Sequence, residues 1–171
     1  MKSKRPKSFK RRKQSKTNYK RRLGLLKSRK PRLIVRKSLN NIRVQIAEYL
    51  TDGDKIVASA ISSDLKKEGW KYNCANLPAA YLTGMLCGSR AIKAGIKEAV
   101  LDIGLNEPIN GCKIYAALKG AIDAGLQIPH SSDAFPKEER LNGAHLQNQK
   151  ADEVAKAIEQ IKSKLAGSKK E

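Results

Sequence analysis

Lysine and arginine are the residues of this chain whose number and spacing point most directly to chemistry. Eighteen of them lie between Lys2 and Lys37, and the first acid is Glu48. The whole chain has 36 basic residues against 16 acids, a formal charge of +20. Half of the bases therefore sit in a head with no acid, and the remainder is close to neutral. Cations at this density repel one another, and such a head buries too little apolar surface to fold alone. Their chemistry is that of a polycation, and the partner it fits is the phosphate array of a nucleic acid.

Catalytic chemistry has thinner support. Asp102 ends a short apolar run and, with Glu107 and Asp123, suggests a carboxylate set for metal-assisted phosphoryl transfer. The plainer reading places Asp102 beside a loop and Asp123 on a helix surface, with nothing else calling for a metal. Neither a G-x-x-x-x-G-K-[ST] nor a G-x-G-x-x-G pattern is present. His130 and Ser131 are adjacent, so on an extended chain they point apart and do not make a nucleophile–base pair. Cys74, Cys87 and Cys112 are odd in number and widely spaced, and His130 and His145 are the only histidines. A disulfide framework or zinc ribbon is not expected; three reduced, mostly buried thiols are. No cofactor and no metal are expected. No run of about 18 uncharged apolar residues suits a membrane helix, and the N-terminus lacks the apolar core of a signal peptide. A cytoplasmic protein is the expectation.

The elements that must position these residues follow from periodicity. Residues 1–30 read as a basic arm without apolar periodicity until Leu23, Leu25 and Leu26, with Phe9 and Tyr19 its only aromatics. Pro31 opens the body. Leu33 and Val35 alternate with Arg32, Ile34 and Arg36; Ile42, Val44 and Ile46 alternate with Arg43, Gln45 and Ala47. Asn40-Asn41 and Asp52-Gly53 are turn signals, and Lys55–Ile61 is a third strand. This is an antiparallel meander with one apolar face and one polar face carrying Arg43, Gln45 and Arg36. Residues 62–74 read as a loop holding the single tryptophan, Trp70. Asn76-Leu77-Pro78 starts a helix with the stripe Leu77, Tyr81, Met85, Gly88 and Ile92, where Gly84 and Gly88 allow close approach. Ala99–Leu101 is a short buried strand. Lys113–Ala124 is a second helix, residues 126–129 are extended, and a short polar helix follows Phe135-Pro136. Val154, Ile158, Ile161 and Leu165 mark a final helix. The fold class is therefore α/β: a mixed sheet with an antiparallel three-strand meander and helices on one face. To it are added a basic N-terminal extension and C-terminal helices, and the meander's other face is left free.

The run Leu118–Ser131, LKGAIDAGLQIPHS, reads as a glycine-capped helix, a strand and a Pro-rigidified turn presenting His130. Two uses of His130 stand open: a structural side chain, or one that stacks on a base or bonds a phosphate. This run, with Phe135-Pro136, Glu139-Arg140 and Gly143-x-His145, resembles the archaeal and eukaryotic branch of one ribosomal family. That family is the large-subunit proteins called universal L eighteen. The run from Tyr19 to Ser38, the Asn40-Asn41-Ile42 turn and the strand from Lys55 to Ser62 are similar to the same family. The resemblance covers roughly residues 17–147, and the chain length is similar to archaeal members.

The resemblance implies a structural subunit that binds 5S rRNA through a basic N-terminal segment and a sheet face, and helps attach it to the large-subunit rRNA in the central protuberance. Implied partners are those two RNAs and neighbouring large-subunit proteins, including the other 5S-binding protein. Carried over residue by residue, it makes Tyr19, Arg21, Arg22, Lys27, Arg29, Lys30, Arg32, Arg36, Ser38, Asn40 and Arg43 candidate RNA contacts. Arg11, Arg12 and Lys13 join them on charge, and His130 on its turn. The expected organisation is an arm (1–30), an α/β core (31–130) and a helical C-terminal extension (131–171). The other function classes are a non-specific nucleic-acid compaction protein and a metal-dependent nuclease using Asp102.

Overall fold

The computed structural model describes residues 9–144 and 151–167. A single turn, α1 (Lys10–Lys13), and a two-turn helix, α2 (Tyr19–Leu26), precede the sheet. The sequence showed no periodicity this early. α2 forms because Asn18 caps it, its Oδ1 accepting the Arg21 N–H at 3.1 Å, and because Leu25 and Leu26 are half-buried. Ser15 adopts a left-handed backbone (φ 50°) that turns the chain between the two helices. The Phe9 and Tyr19 rings then meet at 5.0 Å.

Strands β1 (Arg32–Lys37), β2 (Ile42–Leu50) and β3 (Gly53–Ile61) make the meander, and β4 (Val100–Asp102) adds to β1 in parallel, in the order β3-β2-β1-β4. The mixed sheet matches the sequence expectation. Two details differ. β3 starts at Gly53, directly after the turn, and it bulges: Ile46 pairs Ala58 while Ala47 pairs Ile56. The extra residue, Val57, switches which side chains face the core. The parallel strand is Val100–Asp102 rather than Ala99–Leu101, and Ala99 instead bonds Gln127, the one residue of the extended 126–129 segment that bridges, through Glu98. At the β1–β2 turn, the Ser38 hydroxyl donates to the Asn41 carbonyl and accepts the Asn41 N–H, at 2.8 and 3.0 Å.

One face of the sheet presents Leu33, Val35, Ile42, Val44 and Ile46, all buried. Against it lies α3 (Leu77–Lys93), capped by Asn76 and opened by Pro78. The expected apolar stripe of α3 is only part of its burial. Fourteen of its 17 residues are buried, because α4 (Lys113–Asp123), α6 (Ala151–Gly167) and the sheet surround it. Gly84 and Gly120 permit the α3–α4 approach: a Cβ on either would overlap the facing backbone carbonyl, of Ala117 and Tyr81 respectively. The 62–74 segment is less open than expected. A 3-10 turn over Ser62–Lys66 carries the chain to Trp70, which is buried, with its indole N–H donating to the Asn73 carbonyl. After the short α5 (Glu138–Leu141), α6 docks Val154, Ile158, Ile161 and Leu165 on the core. Helices thus pack on one face of the sheet, as expected.

Candidate nucleic-acid interface

Strand alternation sends Arg32, Ile34 and Arg36 to the face opposite the core, with Ile34 level with Asp102 on β4 and Arg36 level with Arg43 on β2. The expectation of a free polar face needs correcting here. The arm reaches onto this face and a chain of alternating charges crosses it. Arg22 Nη2 donates to both Asp54 oxygens at 3.0 Å. Arg32 Nη2 lies 2.5 Å from Asp54 Oδ2, an ion-pair contact too bent to be a hydrogen bond, while its Nη1 donates to Asp102 Oδ2 at 3.0 Å. Arg36 Nη2 donates to Asp102 Oδ1 at 3.0 Å and its Nη1 to the Asp102 carbonyl at 2.8 Å. Arg21 Nη1 closes the arrangement by donating to the Gly104 carbonyl at 3.0 Å.

Two sequence readings change as a result. Arg32 was grouped with the RNA contacts, yet it is 1 % exposed. A charge that deep needs partners, and two carboxylates supply them. It is an internal ion-paired residue, without a surface to offer. Asp102 does end its strand beside a loop, but its carboxylate is turned to Arg32 and Arg36. Burial works to raise its carboxyl, but Arg36, the Gly104 N–H at 2.8 Å and Arg32 outweigh that and hold it below the ordinary carboxylate range. Asp123 is elsewhere, accepting the Tyr81 hydroxyl at 2.7 Å, and Glu107 is exposed. Among the described residues no three His, Cys, Asp or Glu side chains group as metal ligands. The three thiols are free, and burial pushes Cys87 up to about 12.

The remaining expected residues fall into three places. Arg11 on α1 donates through Nε to Thr17 Oγ1 at 2.9 Å, and with Lys16, Arg21, Arg22 and Arg36 it rims a cavity of about 330 Å³ floored by Arg32. Arg12 and Lys13 are exposed on α1, Tyr19 is half-buried against Phe9, and Lys27 and Arg29 are exposed past α2. Ser38, Asn40 and Arg43 are exposed at the β1–β2 end of the sheet. Lys30 pairs with Glu98 at 2.5 Å, and both line a shallow groove with His130. The His130 ring is held by its Nδ1 at 2.7 Å from the Ile128 carbonyl and by the Phe135 ring at 4.9 Å. His145 lies outside the described residues. Lys16, Asp54 and Gly104 were missed. Asp54 carried a signal, being an acid on a strand otherwise rich in small and apolar residues; Lys16 and Gly104 carried none.

Comparison with known proteins identifies the family. The chain is 54 % identical over 140 residues to the large ribosomal subunit protein uL18 of Methanococcus maripaludis, covering 82 % of this chain and 72 % of that one. A family model described as ribosomal large subunit proteins 60S L5 and 50S L18 matches residues 4–98 and 93–131. With the family model running through the basic arm, the meander and the α3–α4 core, and the relative matched over 82 % of the chain, this chain belongs to that family of large-subunit ribosomal proteins.

Proposed function

We propose that the protein is a structural subunit of the large ribosomal subunit that binds 5S rRNA and helps attach it to the large-subunit rRNA in the central protuberance. Its place is then the ribosome, in the cytoplasm, beside the other 5S-binding protein. One observation carries the reading: the acid-free run of 18 cations leads directly onto a strand face and turn where Ser38, Asn40 and Arg43 are exposed. Membership of the ribosomal family supports it. Arg12, Lys13, Lys27 and Arg29 neutralise phosphates and release counterions. Ser38, Asn40 and Arg43 meet the RNA's shape and sugar hydroxyls, and His130 offers its Nε2 edge to the same partner. No helix among the described residues is long and apolar enough to cross a membrane, and none is needed.

The test is binding of 5S rRNA against an unrelated structured RNA. Arg43→Ala narrows the gap between the two RNAs, whereas Arg12→Ala weakens both alike, because phosphate contacts are blind to sequence. With six to ten ionic contacts, log affinity falls against log salt with a slope of about −4 to −9. Equal affinity for RNA and DNA of any sequence would favour a compaction protein. A metal-dependent cleavage product that vanishes in Asp102→Asn would favour a nuclease.

A further inference from the structure

The cavity between α2 and the outer face of the sheet is built like an anion site. Among the described residues five cationic side chains rim it, a sixth lies beneath, and only Asp54 and Asp102 oppose them. Those two carboxylates are shared. Arg32 takes one oxygen of each, so neither Arg22 nor Arg36 is neutralised by its own partner. Arg32 is the second sign. It is buried, and among the described residues its Nε has no hydrogen-bond acceptor, so one donor under the cavity floor is unmet although two carboxylates pair with its charge. Buried charge of this kind acts through a low dielectric and is screened less than surface charge. The third sign is α2 itself. Thr17 and its cap Asn18 line the rim, which turns the positive end of the helix dipole toward the opening.

We propose that this cavity is a docking pocket for a single phosphate group. Arginine forks match phosphate oxygens in pairs. Among the described residues Arg11 has only Nε engaged, and Arg22 only Nη2, which leaves the other nitrogens of both to donate inward. About 330 Å³ is at the small end of ligand sites, roughly 300–1,000 Å³, and suits one phosphate with part of its sugar; Asn18 and Asn106 stand at the rim for the sugar hydroxyls. The group is supplied by an RNA backbone threaded between arm and sheet, so the proposal rests on the RNA-binding reading above. Free inorganic phosphate shares the chemistry.

The experiment uses the full chain and 5S rRNA carrying, on average, one ethylated phosphate per molecule, with bound and free pools mapped. One position should dominate, with binding reduced at least tenfold. Arg36→Gln should abolish that dominance while leaving the weaker positions as they were. Lys16→Gln removes a lining cation whose side chain makes no bond among the described residues, so it tests the pocket without touching the fold; it should reduce the same dominance. A parallel arm follows melting in inorganic phosphate against chloride at equal ionic strength. A dominant position without a phosphate-specific rise in Tm marks an RNA phosphodiester as the occupant. A rise in wild type that Arg36→Gln and Lys16→Gln both lose, without a dominant position, marks a free phosphate. Interference spread evenly, or a dominant position unchanged in both variants, together with no specific rise in Tm, overturns the pocket. If 5S rRNA binds no better than unrelated RNA, the proposed function fails, and the melting arm alone decides the pocket.

Discussion

Leu33 and Val35 point into the core; Arg32 and Arg36, one residue away on the same strand, point out of it. The two faces of this sheet are held by different physics. The inner face is apolar, closed by α3, and depends on shape: Gly84 and Gly120 exist so that α3 and α4 can touch backbone to backbone. The outer face is ionic and depends on charge pairing, and its order comes from Asp54 and Asp102 arranging three arginines. The difference teaches where a change is tolerated. A shape error inside has no remedy because backbone cannot move aside. A charge error outside is graded by depth, from Arg32 at the floor to Arg43 in solvent.

Four changes would break or sharpen that comparison. The largest effect belongs to the inner face: Gly120→Val overlaps the Tyr81 carbonyl and costs about 3 kcal/mol or more, read as loss of a cooperative thermal melt. Next is the floor of the outer face. Arg32→Ala leaves two carboxylates beneath the arm short of a partner and costs about 3 kcal/mol; denaturant midpoints at neutral pH measure it. A cost below that of removing the half-exposed Arg36 would erase the distinction by depth.

Removing the arm, in a chain beginning at Lys30, should leave the helical circular dichroism and a cooperative melt intact. The body loses the Arg22–Asp54 pair, which is partly exposed and worth at most about 1 kcal/mol, while 5S rRNA affinity falls about a hundredfold. Unfolding of the shortened body would show that arm and core are one unit. The smallest effect is the pH dependence of Asp102. Its folded value is lowered from 3.8, so the stabilisation is complete above that ordinary value and is lost as pH falls through the lower folded value. Wild type should therefore lose stability on the acid side, and Asp102→Asn should flatten that limb, as followed by melts from pH 6 downward.

The three-strand meander, α3, α4 and the α6 stripe were legible because each rests on local rules: alternation, turn residues, caps and glycine stops. The cationic head was equally legible, since charge density needs no contact map. Among the exposed members of the candidate interface, Arg12 and Lys13 follow from that charge density, whereas Ser38, Asn40 and Arg43 came as contacts from the family resemblance.

What a one-dimensional pattern does not hold is which charges meet. Arg32 and Arg36 read alike, as arginines on the polar side of a strand, and only β4 lying parallel to β1 brings Asp102 between them. Asp54 reaches Arg22 across 32 positions and Asp102 reaches Arg32 across 70. The bulge at Val57 and the return of the arm through Ser15 likewise depend on neighbours distant in the chain. By itself the sequence determined the polycation, the types of the main core elements and the face that the apolar residues of β1 and β2 take, because these depend on spacing along one segment. The tertiary structure alone decided which arginine is buried, which acids hold it and that a cavity forms over it. Electrostatic pairing acts through space, and its strength depends on burial that only the assembled sheet creates.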